Sequence, residues 1–189
     1  MAGETQKTSA LTNAQNGIKS YGNRANGRIG GGQDHHQFAA ATELEAADVL
    51  ITIIEIPSNA IMRDIEIIND DMDTDGSAAL TLDVGVCAVN KHVSVTSGTA
   101  TTHLEDAVVD ADLFVDADTN ARTATAEWTK LVIDTGTQGP EDAAKPIWEM
   151  LGYDFDPNTV YRLCVTSAAA SVALASAADF GIRCDYYTY

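Results

Sequence analysis

The sequence is short of several things at once, and each shortage excludes a class of protein. Its 189 residues include three cysteines, Cys87, Cys164 and Cys184, scattered along the chain. A disulfide-stapled domain needs a denser, even set, so a packed core must hold this one. Basic residues number 11 against 28 acidic ones, a formal net charge of −17. That excess repels phosphate backbones, and no nucleic-acid partner is expected. No apolar run approaches the roughly 18 residues of a membrane-spanning helix. The best stretch, Val49 to Ile56, is interrupted by Thr52 and Glu55, so no membrane partner is expected either. No charged-then-apolar leader opens the sequence, which points to synthesis in the cytoplasm. Catalytic signatures are missing too: there is no G-x-S-x-G elbow, H-E-x-x-H pair, P-loop or dinucleotide fingerprint. Carboxylates are so numerous that nominating a glycosidase pair without geometry means nothing. The expectation is a protein with no catalytic residues and no organic cofactor.

What is present is unevenly placed. Residues 1–36 hold four basic groups (Lys7, Lys19, Arg24, Arg28) and two acidic ones (Glu4, Asp34). The remaining 153 residues carry 7 basic and 26 acidic groups, a net −19. The first segment is rich in Gly, Asn, Gln, Ser and Thr and poor in large apolar residues. Such a segment cannot offset its ordering entropy alone, so it reads as an N-terminal arm, flexible or ordered on a partner. Its widely spaced anchors, Ile18, Tyr21 and Ile29, with Arg24 and Arg28, are the residues expected to dock. Gly30, Gly31 and Gly32 are expected to act as a flexible joint before a body spanning 37–189.

From Phe38 onward the periodicity is that of strands. Val49 to Ile56 is nearly continuous in β-branched residues, as in a strand covered on both faces. Pro57-Ser58-Asn59 then makes a turn. In Ile61 to Ile68, Ile61, Arg63, Ile65 and Ile67 alternate with Met62, Asp64, Glu66 and Ile68, the second set supplying the polar face. Leu80, Leu82, Val84 and Val86 alternate with Thr81, Asp83 and Gly85. His92 to Thr96, Leu104 to Val115 and Trp128 to Asp134 offer weaker strands. Tyr161, Leu163 and Val165 oppose Arg162, Cys164 and Thr166, and Phe180, Ile182, Cys184 and Tyr186 oppose Arg183 and Asp185. Both cysteines there read as small hydrophobes. Glu141 to Leu151 is the exception, a short helix with Pro140 at its start, Pro146 limiting it and Gly152 stopping it. The pattern implies an all-β fold, an antiparallel jelly-roll-like β-sandwich with an extended arm and one short helix.

Among sites, Asp71, Asp73 and Asp75 form a D-x-D-x-D-G run ending at Gly76-Ser77, the spacing with which alternate carboxylates reach a calcium ion. Position twelve is Leu82 rather than a bidentate glutamate, and strands flank the run, so a further carboxylate would have to close the site. The competing reading is a plain turn. Asp116-Ala117-Asp118-Thr119-Asn120 is a poorer run of the same kind. His35 and His36 adjoin and would point to opposite faces of a strand. His92 and His103 stand singly. Trp128, Trp148, Tyr153, Tyr161, Tyr186, Tyr187 and Tyr189 would serve either as a sugar-stacking surface or as core and interface anchors.

Three stretches carry a family resemblance: FAAATELEAADVLITIIEIPSNA (38–60), IEIINDDMDTDGSAALTLDVGV (65–86), and PIWEMLGYDFDPNTVYRLCVT with FGIRCDYYT toward the end. The body resembles structural proteins of tailed bacteriophages, the β-sandwich capsid decoration (cement) proteins. Residues 91–127 fall outside that likeness. The resemblance implies a virion protein on the outer surface of the head that bridges shell subunits. Its partners would be the major capsid protein and further copies of itself, as a homo-oligomer and most often a trimer. The alternative from the same source is a receptor- or glycan-binding head or tail fibre module, calcium-dependent if the acidic loop binds.

Overall fold

The computed structural model describes residues 5–7, 29–38, 44–131, 133, 144–171 and 178–188. Along the chain these form β1 (Thr5–Lys7), β2 (Ile29–Phe38), β3 (Val49–Pro57), β4 (Ala60–Asn69), β5 (Thr81–Ala88), β6 (His92–Thr96), β7 (Thr99–His103) and β8 (Val108–Asp118). β9 (Thr129–Lys130), helix α1 (Ile147–Met150), β10 (Val160–Ala169) and β11 (Ala178–Thr188) follow. One sheet has the order β1-β3-β10-β5-β8 and the other β2-β11-β4-β9, while β6 and β7 form a separate ribbon. Without β1 and the ribbon, eight strands remain. Numbered in chain order, they fill the sheets as 2-7-4-5 and 1-8-3-6, the jelly-roll order. The expected all-β sandwich is therefore the observed fold, with the ribbon inserted between β5 and β8.

One apolar core joins the inner faces. β3 contributes Leu50, Ile54 and Ile56, β5 Leu82, Val84 and Val86, β10 Tyr161, Leu163 and Val165, and β11 Phe180, Ile182 and Cys184. These are the alternating sets that the period-two pattern specifies. Val49, Ile51, Cys87 and Cys164 make a smaller cluster on the opposite face of the first sheet, which is why β3 is apolar on both sides.

Among several breaks of register, those in β4 and β8 change which side chains reach the core. Asp185 and Tyr186, adjacent on β11, pair with Asp64 and Met62, so Arg63 is an extra residue in β4. A bulge moves every later side chain to the other face. Met62 is accordingly buried along with Ile65 and Ile67, not with the polar set where alternation places it. The break in β8 is larger: Val84 pairs with Val115 but Val86 with Asp110. The looped-out part of β8 sends Leu113 and Phe114 into the core. Its backbone at Asp110 and Ala111 lies against Gly85, whose missing Cβ would sit 2.6 Å from the Ala111 carbonyl oxygen.

The arm boundary at residue 36 requires correction. β2 pairs with β11 through ten residues, Ile29 opposite Tyr187 to Phe38 opposite Ala178. Gly30, Gly31 and Gly32 are therefore strand residues in the body's sheet, not a joint. Gly30 is needed there because the Tyr186 ring folds across it and would collide with a Cβ. Buried Asp34 ties this strand to the other sheet: its carboxylate accepts the amide of Ile53 at 2.7 Å and that of His35 at 2.8 Å.

The remaining differences are local. The expected strand from Leu104 begins at Val108, because Ala107 closes a turn onto the Leu104 carbonyl at 3.2 Å. Of Trp128 to Asp134, two residues form β9. Pro146 does not interrupt the helix but precedes it as N-cap, where its fixed φ costs nothing. Gly152 does stop it, at φ +69°. The Gly152 amide donates to Glu149 and the Tyr153 amide to Trp148, the paired bonds of a Schellman cap.

Candidate functional site

The ribbon, the residue that follows it and the loop after α1 carry three of the exposed large apolar side chains. Val93, Leu104 and Phe155 are 50%, 62% and 55% exposed. The ribbon exists because Ser97 and Gly98, at φ +50° and +77°, make a two-residue turn whose twist matches its flanking strands. The Schellman cap aims Asp154 at that turn. Its carboxylate accepts the amides of Ser97 at 2.9 Å and Gly98 at 2.7 Å, and its own amide donates to the Val95 carbonyl at 2.7 Å. Asp154 thus clasps both the tip of the ribbon and the outer edge of β6.

At the base of the ribbon, His92 and His103 are a cross-strand pair with rings stacked 4.8 Å apart. His92 Nδ1 lies 3.1 Å from the Asn90 carbonyl, so that nitrogen carries the proton. His103 Nε2 lies 2.9 Å from Ser94 Oγ and 3.3 Å from Tyr153 Oη. Burial pushes the His103 imidazole below its usual titration range, and the neighbouring His92 adds to this. Tyr161 meets His92 edge-on at 5.5 Å, and burial raises its hydroxyl far above the usual phenol value. Burial and the stacked neighbour thus hold His103 toward its neutral form.

Among the expected docking residues, Ile18, Tyr21, Arg24 and Arg28 lie outside the described residues, and Ile29 opens β2. The acidic loop uses its carboxylates on its own backbone. Asp73 is buried, and its Oδ2 accepts the amides of Ala79 at 2.7 Å and Leu80 at 2.9 Å. Asp71 accepts the amide of Asp73, and Asp75 that of Ser77. Met72, between them, is a core residue. The three carboxylates do not converge: among the described residues no three His, Cys, Asp or Glu side chains are placed to hold a metal ion. Asp118 behaves likewise, accepting the amide of Asn120 at 2.8 Å.

The histidines of β2 do diverge, His35 toward Asp179 at 3.3 Å and His36 onto the Phe38 ring at 4.6 Å. The aromatic residues are dispersed. Tyr161 is core, Trp148 and Tyr186 pack against it, and Trp128 lies under the Arg183 guanidinium at 4.5 Å. Tyr187 is stacked near Arg63, and Tyr189 lies outside the described residues. Cys87, Cys164 and Cys184 are buried free thiols. Burial holds Cys184 up at about 12, and Cys164 is raised by its thiol hydrogen bond with Cys87 and by burial. All three are closed off from solvent, as inert structural cysteines are.

On the outer face of the first sheet, Arg162 is buried between Asp106 at 3.1 Å and Glu55 at 3.4 Å. Nearby on β8, burial lifts the Asp110 carboxyl to about 6, with Asp112 beside it contributing. Sequence reading placed β6 at His92 to Thr96 but missed β7, its pairing into a ribbon and Asp154. The Ser97-Gly98 dipeptide was the available signal for the turn.

No protein-family model and no curated sequence matches the chain. Among solved structures it is similar to a chain of the capsid of Ralstonia phage GP4, with a TM-score of 0.58 and 15% identity over 98% of each chain. It is also similar to a chain of the cyanophage Pam1 capsid asymmetric unit, with a TM-score of 0.53 and 16% identity. That match covers 91% of this chain and 93% of the other. At such identity the likeness is one of fold.

Proposed function

We propose that this chain is a virion structural protein that decorates the outer surface of a tailed-phage head and bridges its shell subunits. The observation that carries this reading is the match over 98% of both chains to a chain of a phage capsid. The physics of the chain agrees with it. A charge of −19 on residues 37–189 would be repelled by packaged nucleic acid and tolerated facing solvent. The mechanism is mechanical: added buried interface raises the barrier to separating shell subunits. The partner is the major capsid protein, reached through the basic segment ahead of β2, and the working form is a homo-oligomer, a trimer in the first instance.

Quantitative mass spectrometry of purified particles against the major shell protein tests this. A ratio between one to one and one to a few is the expected result. A handful of copies per particle would move the protein to the neck, tail or fibre, and absence from particles would remove the reading. A truncation lacking residues 1–28 loses the three-residue edge strand β1 but keeps β2 and the other strands of both sheets, and is expected to fold yet fail to decorate shells. Full occupancy by that truncation would overturn the docking role of the arm.

A further inference from the structure

Exposed strand edges invite pairing with another chain, and natural proteins block them with charges, prolines or very short strands. Nearly every edge here is managed. β8 carries Asp110, Asp112, Asp116 and Asp118, β9 is two residues ending in Lys130, and β1 ends in Lys7. β2 has inward-pointing Asp34, and the outer edge of β6 is engaged by the Asp154 amide. The exception is β7. Its sequence, Thr-Ala-Thr-Thr-His, has no formally charged residue and no proline, and Thr99 to Thr102 are all exposed. Among the described residues it pairs with β6 alone.

We propose that β7 pairs antiparallel with β7 of a second copy of this chain, across a two-fold axis at Thr101. The register follows from the hairpin. Thr96 and Thr99 flank the two-residue turn and Ser94 faces Thr101, so Thr99, Thr101 and His103 turn their amides and carbonyls toward β6. Ala100 and Thr102 turn theirs outward. Placing Ala100 opposite the partner's Thr102, and Thr102 opposite the partner's Ala100, makes four hydrogen bonds. Thr101 then faces its own copy as a Thr–Thr pair, which sheets favour. On one face the four-stranded ribbon gains a continuous stripe of Val93, Thr102, the partner's Ala100 and the partner's Val95.

Charge selects the occupant. Residues 92–104 contain no Asp, Glu, Lys or Arg in a chain of net charge −17. Net charge opposes the approach of two such chains, and an uncharged projection is where that repulsion is weakest. This two-fold contact would form in addition to any contact that builds a trimer. A basic partner would instead be met by carboxylates, which the ribbon lacks. An antiparallel pair of identical strands is also self-complementary, as a two-fold contact demands. The contact does not depend on the virion reading.

Thr101→Cys in the full chain tests it, since the three native thiols are buried. Mild oxidation should give a disulfide-linked dimer at least tenfold faster than exposed Ser77→Cys. Sedimentation should show that Ala100→Lys, which sets a cation against each edge, associates at least tenfold more weakly than the unmodified chain. Equal cross-linking rates for Thr101→Cys and Ser77→Cys would overturn the proposal. So would unchanged association of a folded Ala100→Lys. Should Ala100→Lys not fold, the cross-linking rates decide by themselves.

Discussion

Replacing Gly85 by alanine adds one methyl group where the bulge of β8 already lies. The new Cβ would fall 2.5 Å from the Ala111 carbonyl carbon and 2.6 Å from its oxygen, with the Asp110 carbonyl oxygen nearer still. All three obstacles are backbone, so no rotamer change relieves them. The bulge must lift, and it carries Leu113 and Phe114, which are 1% and 0% exposed. Overpacking alone costs about 1–3 kcal/mol, and partial loss of burial for two large side chains adds to it. The expected destabilisation is about 3 kcal/mol or more, roughly 6–12 °C in Tm for a chain of this size. Two controls sharpen the assay, urea unfolding followed by circular dichroism. Gly76→Ala meets nothing within 4 Å and should stay within about 0.5 kcal/mol of the parent. Gly30→Ala collides with the side chain of Tyr186, which can swing away, so about 1 kcal/mol is expected. A Gly85→Ala protein within about 1 kcal/mol of the parent would refute the idea that the β8 bulge is seated on that glycine.

Asp110→Asn should stabilise the fold at pH 7.5 by about 1 kcal/mol. The carboxyl is lifted to about 6 by burial and by Asp112, so its charged form costs stability; half-exposure to solvent discounts the full shift. Because the folded value lies above the unfolded one, the parent chain gains stability as pH falls through 6. The difference between the two proteins should therefore vanish by about pH 4, and a constant difference in Tm across that range would count against the assignment. Asp154→Ala should free the amides of Ser97 and Gly98. Hydrogen exchange in 92–103 should rise at least tenfold while global Tm moves by no more than about 3 °C, since the ribbon lies outside both sheets. Unchanged exchange would mean that Asp154 does not hold the ribbon.

How much was legible can be judged element by element. The core sets of β5 and β11 alternate as written because the extra residues of their irregular pairings lie in the partner strands. β5 is nonetheless buried on both faces, with Cys87 in the cluster outside the first sheet. β4 could not be read to its start: nothing local marks Arg63 as an extra residue, since a bulge is defined by the opposite strand. The acidic run at Asp71 matched a cation-binding spacing, but the same spacing lets short carboxylates accept amides two residues on. Which use prevails depends on where the backbone folds back, and Asp73 is turned inward to Ala79 and Leu80. The glycine triplet looked like a joint because glycine lowers strand propensity. It is a strand because Tyr186 and Asp185 need the space above it.

The sequence by itself determined the fold class, through short runs of period-two alternation separated by turn residues. Those are properties of composition and of neighbours along the chain. Tertiary structure decided the jelly-roll order, the place of β2 in the body, the burial of Asp34 and the unguarded edge at β7. Each of these depends on which distant segment supplies the second hydrogen-bonding partner or fills the space beside a side chain, and partners far apart in sequence leave no local pattern to read.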